Sequence, residues 1–434
     1  MKRITSLFLS LLFLMPFFIF GAKAKEFEDE ISAENAILYN VETKRTVYKK
    51  NPDETIYPGP TAKMMTAVLA LEYYADKLDK VITVRAEMIK NVSGNNISLS
   101  AGESFSAEQY ISALIVGNSN DAAMVLVCDI AGSEEKFVEL MNRKAKEIGM
   151  ENTVYKNATG MHDDGMVTTA ADTLKLAEYA FMTPRYIDIA SLPKYQMGKG
   201  ENKRTIHNRN YLVSKTLTED FYYGGAHGMN VGSTYEAKAS LVTSVTHEGL
   251  NYLLVLMGCD YNDKKGIGSY ADAQKLLDFV KNNYGYIRIV DRKDMVNEIK
   301  VLRGKDADYV SAVPSCDCDV LLPKDISIKE EVKYTFDLPN EINAPIVAGD
   351  KVGQVIAEYN GEIIATCDII VKNSVDENAA LALWSAFTDF AKTPTFWLIV
   401  AVVLFVIIYV VGAVIYARRR RMHSLHDMPT YPYE

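Results

Sequence analysis

Apolar and polar positions alternate with a period of two near the beginning of the chain, in residues 32–50. That period is typical of strands with one buried face, and the polar stretch in the middle predicts a turn between two strands. Residues 237–259 contain two more apolar runs, which residues 246–249 interrupt. They predict a second pair of strands.

Between these strands, apolar residues recur every three to four positions, which is typical of helices. Pro60 fits the first turn of such a helix, because its missing N–H has no intrahelical partner there. Helices are predicted at residues 61–74, 107–116, 121–130, 134–148 and 170–181. Strands at both ends with helices between them predict one layered α+β domain over residues 28–285.

The pattern of apolar and polar residues changes after residue 285. Residues 286–372 are short alternating runs interrupted by Gly, Asp and Pro, which predicts a small β-rich domain. Residues 373–394 form a stalk of mixed polar and small residues. Residues 395–417 carry no charge, and at ~1.5 Å per residue they are long enough for a helix that crosses a ~30 Å hydrocarbon core.

Both ends of the chain predict its location. Residues 1–24 begin with Lys2 and Arg3, continue with an apolar run and end in a small-residue pattern, as a secretory signal peptide does. A retained N-terminal anchor is the alternative. Four arginines at 418–421 follow the predicted span, and positive residues stay on the cytoplasmic side. We therefore expect a single-pass membrane protein with an extracytoplasmic body and a short cytoplasmic tail, residues 418–434.

Charge and cysteine content exclude some functions. The net charge is -9, and no basic stripe precedes residue 418, which argues against nucleic-acid binding. Five cysteines cannot all pair with one another. Cys316 and Cys318 form a C-x-C pair, but no second pair or histidine cluster accompanies it in the sequence, so we expect neither a metal site nor a cofactor.

Three segments carry candidate chemistry: "YPGPTAKMMTAVLALE", "LIVGNSNDAAMVL" and "HGMNVGSTYEAKASLV". In this order they resemble the active-site motifs of the serine D-Ala-D-Ala carboxypeptidases, the low-molecular-mass penicillin-binding proteins of peptidase family S11. That family uses a Ser with a Lys three residues later, a Ser-x-Asn loop and a Lys-Thr-Gly strand. The resemblance covers nearly all of residues 30–372, and it implies a penicillin-binding-protein-like α+β domain followed by a β domain.

The first motif keeps the lysine and lacks the serine. A spacing of three residues places the nucleophile and its base on one face of a helix. Lys63 is the retained lysine, and Pro60 occupies the position of the nucleophile. Proline has no side-chain oxygen. Thr61 is the nearest hydroxyl, but two residues before Lys63 it points to another side of the helix.

The other two motifs are also altered. Asn120 is retained, and the resemblance implies that it hydrogen-bonds the substrate's peptide, whereas Asn118 replaces a proton-relaying Ser. A helix-capping role for this loop stays open. In the third motif Gly232 is retained, while Asn230 and Val231 replace the Lys and Thr. A cation for a terminal carboxylate is therefore missing there.

These substitutions suggest a pseudoenzyme that keeps the carboxypeptidase fold. Its expected partners are peptidoglycan stem peptides or proteins of cell-wall synthesis and division. One alternative is an active D-Ala-D-Ala carboxypeptidase with a displaced hydroxyl nucleophile, Thr61 or Ser119. Another is a structural or adhesion module with an empty cleft. His227, beside the third motif, is a further candidate for ligand binding.

Overall fold

The computed structural model describes residues 27–216, 218–262 and 266–426. Two compact units divide this part of the chain. The first contains the described residues up to Tyr286 and the segment Leu321–Ile326, and the second contains Ile287–Val320 and the residues from Ser327 onwards. The predicted signal peptide, residues 1–24, lies outside the described residues.

The first unit is built around an antiparallel sheet. The strands of this unit are β1 (Asn35–Asn40), β2 (Arg45–Lys50), β3 (Val81–Thr83), β4 (Ser104–Ser106), β5 (Lys194–Met197), β6 (Arg204–His207), β7 (Ala226–Thr234), β8 (Lys238–His247), β9 (Leu250–Cys259), β10 (Tyr261–Asn262) and β11 (Gly266–Ile267). Five of them form the central sheet in the order β2-β1-β9-β8-β7. Because β1 pairs with β9, strands that are about 210 residues apart in the sequence lie side by side in the sheet.

Helices pack on both faces of this sheet. They are α1 (Ala62–Tyr73), α2 (Ala107–Gly117), α3 (Asn120–Ala131), α4 (Glu134–Glu147), α5 (Ala170–Met182), α6 (Tyr186–Ala190) and α7 (Gly268–Asn283). Ile37 of β1 joins the core that α1 to α6 form. Leu38 joins the core on the other face with Leu276 of α7. Successive strand residues point to opposite faces, so the period of two in the sequence supplies both cores.

The junction between α2 and α3 has a local origin in the sequence. At the start of α2, Ser106 and Gln109 form a capping box, in which each side chain accepts the other's backbone N–H. At its end, Asn118 adopts a left-handed conformation with φ +52°, which asparagine tolerates better than most residues. The chain turns there, and α3 begins at Asn120.

The strands that follow are β12 (Tyr284–Val290), β13 (Asn297–Leu302), β14 (Tyr309–Pro314), β15 (Cys318–Pro323), β16 (Val332–Asp337), β17 (Glu341–Asn343), β18 (Lys351–Tyr359) and β19 (Glu362–Val371), with the one-turn helix α8 (Ile328–Glu331) between β15 and β16. Six of them form a sheet in the order β16-β18-β19-β14-β13-β17. Asn360 and Gly361 connect β18 to β19 with positive φ values, as tight hairpins prefer.

Two helices end the described chain: α9 (Ala379–Ala391) and α10 (Pro394–His426). The portion Pro394–Arg419 is long and apolar enough to cross a membrane. The segment predicted as a stalk contains α9, whose Leu383, Trp384 and Phe387 are exposed.

The predicted fold class is confirmed, as are the strand pairs in residues 32–50 and 237–259 and the five predicted helices, whose ends shift by at most one residue. The short hairpins β3–β4 and β5–β6 were not predicted, and neither was α7. In α7, buried Ala273, Leu276, Leu277 and Val280 follow a helical spacing, so the signal was present in the sequence.

Candidate functional site

A cavity of about 310 Å³ in the first unit is lined by residues from all three motifs: Pro60, Lys63, Asn118, Asn120 and Gly232. The other lining residues are mostly polar or small. They are Gly94, Asn95, Thr159, Gly160, Met161, Arg209, Tyr211, Val231, Ser233, Thr234, Ala239 and Tyr270. The start of α1, the junction of α2 and α3, and strand β7 thus converge on one cleft.

Pro60 lies in a buried 3₁₀ turn, Gly59–Thr61, that leads directly into α1. Two glycines allow other segments to approach this turn. A Cβ atom on Gly160, which has φ +77°, would lie 1.8 Å from the Gly59 carbonyl oxygen, and one on Gly232 would lie 2.8 Å from Cγ of Pro60. Position 60 therefore meets the cleft with a pyrrolidine ring, and it offers neither a hydroxyl nor a backbone N–H.

Lys63 is 5% exposed, one helical turn after Pro60. Its Nζ donates a hydrogen bond to the Thr159 carbonyl oxygen at 2.6 Å. Burial lowers the pKa of Lys63 from 10.5 to about 7, because removal from water disfavours the charged form. The described part of the chain places no carboxylate in an ion pair with it. The amine and ammonium forms are thus both accessible near neutral pH.

Asn118 and Asn120 make different use of their amides. Nδ2 of Asn118 donates to the Val231 carbonyl oxygen at 2.8 Å, and its Oδ1 accepts from Nδ2 of Asn230 at 3.4 Å. Asn118 therefore ties the end of α2 to β7. Asn120 donates to the Ser93 carbonyl oxygen at 2.7 Å, but its buried Oδ1 has no partner within the described ranges. Of these two amides, only that of Asn120 keeps an oxygen that can accept a hydrogen bond from a ligand.

Strand β7 forms one side of the cleft and is the last strand of the central sheet. Gly232 and Ser233 of this strand line the cavity. Asn230 does not, since it lies on a smaller adjoining pocket and points to Asn118. An edge strand leaves backbone groups without strand partners, and an extended peptide can pair with such groups.

The hydroxyls considered as displaced nucleophiles are both engaged elsewhere. Thr61 is 3% exposed, and its Oγ1 donates to the Pro58 carbonyl oxygen at 2.7 Å. Ser119 is fully buried, donates to the Asp121 carboxylate and accepts the Ala122 N–H as the N-cap of α3. Neither hydroxyl lines the cavity.

Arg209 is a cleft residue that the sequence reasoning missed. Its backbone is fixed on both sides, because its N–H donates to the Val116 carbonyl at 3.1 Å and its carbonyl accepts from Oη of Tyr270 at 2.8 Å. Its side chain is exposed, and no acidic partner occurs within the residues that the structure describes. Arg209 belongs to none of the three motifs. It lies in the loop between β6 and β7, and the folding of this loop brings it to the cleft.

His227 is outside the cavity lining. Its Nε2 is 2.8 Å from Oγ1 of Thr246, its Nδ1 is 3.3 Å from Oγ of Ser191, and partial burial lowers its pKa. The second unit contains a group that the spacing of the sequence did not suggest: Cys316 and Cys318 lie beside Cys367, close enough to share a metal ion.

A layered α+β unit with this cleft defines a penicillin-binding-protein fold, here followed by a β-rich unit. A family model described as D-alanyl-D-alanine carboxypeptidase matches residues 22–261, and one described as Penicillin-binding protein 5, C-terminal domain, matches residues 284–377. Because the first match covers more than half of the 434 residues, the chain belongs to the D-alanyl-D-alanine carboxypeptidase family of the bacterial cell wall.

Individual relatives agree with this assignment. The chain is 28% identical over 360 residues to D-alanyl-D-alanine carboxypeptidase DacF of Bacillus subtilis (strain 168), which covers 82% of this chain and 88% of that protein. It is 26% identical over 390 residues to DacA of Haemophilus influenzae, with 87% and 95% covered. Penicillin binding protein 5 from Haemophilus influenzae has a similar fold, with a TM-score of 0.60 and 24% identity over 81% of this chain and all of that one.

Proposed function

We propose that this protein is a non-catalytic member of its family that binds the D-Ala-terminated stem peptides of peptidoglycan without cleaving them. The observation that carries the proposal is Pro60 at the cleft, three residues before the buried Lys63. A serine there would supply the attacking oxygen, and in serine acyl transfer the nucleophile's own N–H commonly helps to stabilise the oxyanion. Proline removes both groups.

The alternative is an active carboxypeptidase with a displaced nucleophile. The contacts of Thr61 and Ser119 argue against both candidates, because each hydroxyl donates to a neighbouring oxygen outside the cavity lining. A nucleophile needs its base within about 3 Å, and neither hydroxyl forms a hydrogen bond with the Lys63 amine among the described contacts.

Arg209 supports retention of peptide binding. The position of the third-motif lysine is Asn230, so the attraction for a terminal carboxylate must come from another residue. The exposed guanidinium of Arg209 supplies a cation in the same cleft, and Arg pairs with carboxylates through two parallel hydrogen bonds. Oδ1 of Asn120 would accept a peptide N–H, and the edge of β7 would pair with the peptide backbone.

The apolar helix Pro394–Arg419 and the basic residues that follow it support a single-pass anchor with the cleft outside the cell. In that position the protein would meet peptidoglycan and the machinery that builds it. A scaffold for wall-synthesis proteins is compatible with peptide binding, because the bound stem peptide would recruit the protein to sites of synthesis.

Calorimetry with the full chain in detergent tests the proposal, using a synthetic stem peptide that ends in D-Ala-D-Ala and the same peptide with an amidated C-terminus. We expect the free-carboxylate peptide to bind without release of D-Ala. Arg209→Gln should weaken its binding ~10- to 100-fold, since hydrogen bonds to charged groups contribute about 1.5–3 kcal/mol. The exposed Lys203, outside the cavity lining, provides the matched control Lys203→Gln.

Release of D-Ala by the unmodified chain would contradict the non-catalytic role. Equal binding of both peptides would exclude Arg209 as the carboxylate-binding residue. If neither peptide binds, the structural or adhesion module is favoured instead.

A further inference from the structure

Three thiols meet in the second unit, far from the cleft residues in sequence. Cys316 lies in the turn after β14, Cys318 begins β15, and Cys367 lies in the middle of β19. All three Sγ atoms are within 4.8 Å of one another, and those of Cys316 and Cys367 are 3.5 Å apart. All five cysteines of the chain are free thiols.

Ordinary packing explains only one of these cysteines. Cys367 is buried, and a buried free cysteine behaves as a small hydrophobic residue. Cys316 is exposed, so the hydrophobic effect does not hold its thiol against the other two. The cluster is an arrangement of ligand atoms with one side open to solvent.

The turn that carries two of the thiols is fixed from outside the cluster. Asp317, between the two cysteines, accepts the Arg292 N–H at 2.9 Å and lies 3.3 Å from Nη1 of Arg288. The Ser315 N–H donates to the carbonyl of Asp368, next to Cys367, at 2.8 Å. The Ser315 contact keeps the turn beside β19, and the Asp317 contacts fix its other side to Arg288 of β12 and to Arg292, so the thiols are held together before any ligand arrives.

We propose that Cys316, Cys318 and Cys367 form a binding site for a single thiophilic d¹⁰ cation, Zn²⁺ or Cu⁺. Three points no more than 4.8 Å apart have a common point within about 2.8 Å of each, so a small contraction reaches the ~2.3 Å Zn–S bond. Thiolates select these ions over Mg²⁺ or Ca²⁺. Binding releases the thiol protons, and the exposed side leaves a coordination position for water.

Native mass spectrometry of the full chain in detergent, reduced and kept free of oxygen, tests the site with Zn²⁺ and Cu⁺ in separate arms. We expect one ion per chain and protection of three of the five thiols from alkylation. The arm that retains its ion against a competing chelator identifies the preferred metal. Co²⁺ gives an independent readout, since thiolate coordination produces strong visible absorption.

Ligand variants make the test specific. Cys316→Ser should weaken the affinity at least ~10- to 100-fold, because the loss of an outer-shell partner alone has that effect. Cys316 is exposed, so this variant should fold, and Cys318→Ser and Cys367→Ser should agree with it. Cys128→Ser, which removes a partly buried thiol of α3 outside the cluster, should bind the ion normally.

Several results would overturn the proposal. These are equal metal retention by the Cys316→Ser variant, no retention of either ion by the reduced chain, or isolation of a disulfide among these cysteines that, after reduction, yields thiols with no metal affinity.

Discussion

The two walls of the cleft differ in how they use their polar groups. On the inner wall, formed by Pro60, Lys63 and Asn118, Lys63 and Asn118 donate to carbonyl oxygens of the protein itself, and Pro60 has no group to offer. On the outer wall, formed by Arg209 and Ser233, both side chains are exposed. One side of a cleft can therefore use its polar groups to hold protein segments together while the other side leaves its polar groups available to a ligand.

Pro60→Ser should have the largest effect on the difference between the two walls, because it returns a hydroxyl and an N–H to the inner wall. We expect no covalent adduct when the unmodified chain is incubated with a β-lactam, and a mass gain of one β-lactam in the variant. Loss of the nucleophile in another serine hydrolase costs ~10⁶ in turnover, so even incomplete recovery should be measurable. Intact-mass spectrometry of the full chain provides the readout.

Pro58→Ser is the control, since it changes a proline of the same turn and leaves position 60 unaltered. An adduct on the unmodified chain would mean that another hydroxyl has become the nucleophile.

Gly160→Ala should destabilise the first unit by ~3–5 kcal/mol, because the new Cβ meets the Gly59 carbonyl and the residue has a left-handed conformation. Gly102→Ala separates these two causes: Gly102 also has a positive φ, but no atom lies within 4 Å of its added Cβ. The free energy of unfolding of that variant should fall by only ~1 kcal/mol. Equal losses of unfolding free energy in urea denaturation, followed by circular dichroism, would refute the close packing of Gly160 against the Gly59–Thr61 turn.

Lys63→Met should change how stability depends on pH. The folded pKa of Lys63 is about 7 and the unfolded value is 10.5, so the unfolded chain binds more protons between these limits. The contribution of Lys63 to the free energy of unfolding therefore rises with pH in this window and is constant below it. From pH 7 to pH 9 the unmodified chain should gain about 2 kcal/mol relative to the variant.

Denaturation at several pH values measures this difference, with Lys90→Met at an exposed position as the control. A difference between chain and variant that stays constant with pH would show that Lys63 keeps its ordinary pKa.

Asn118→Ser should have the smallest effect, a loss of ~1 kcal/mol. Serine is less favourable at φ +52°, and it cannot reach the Val231 carbonyl as the longer amide does. Asn91→Ser, at an exposed position with φ +62°, reports the backbone contribution alone. Identical losses in the two variants would mean that the hydrogen bond to β7 contributes nothing to stability.

Local pattern was sufficient for much of the fold. A period of two predicted the strand pairs, and recurrence every three to four residues predicted five helices, because each pattern depends on neighbours along the chain. The lack of a hydroxyl at Pro60 is a covalent fact that needs no structure. The order of the three motifs predicted the fold class, which the family and structure comparisons confirm.

The contacts between segments that are distant in the sequence depend on the tertiary structure. It brought Arg209 into the cleft, joined Asn118 to β7 and buried Lys63 enough to lower its pKa. It also placed Cys367 beside the C-x-C pair, where spacing alone had indicated no metal site. The amino-acid sequence fixes which chemical groups the protein has and shows that position 60 has no hydroxyl. Which of those groups meet depends on packing between segments that have no fixed spacing along the chain, and only the folded structure contains that information.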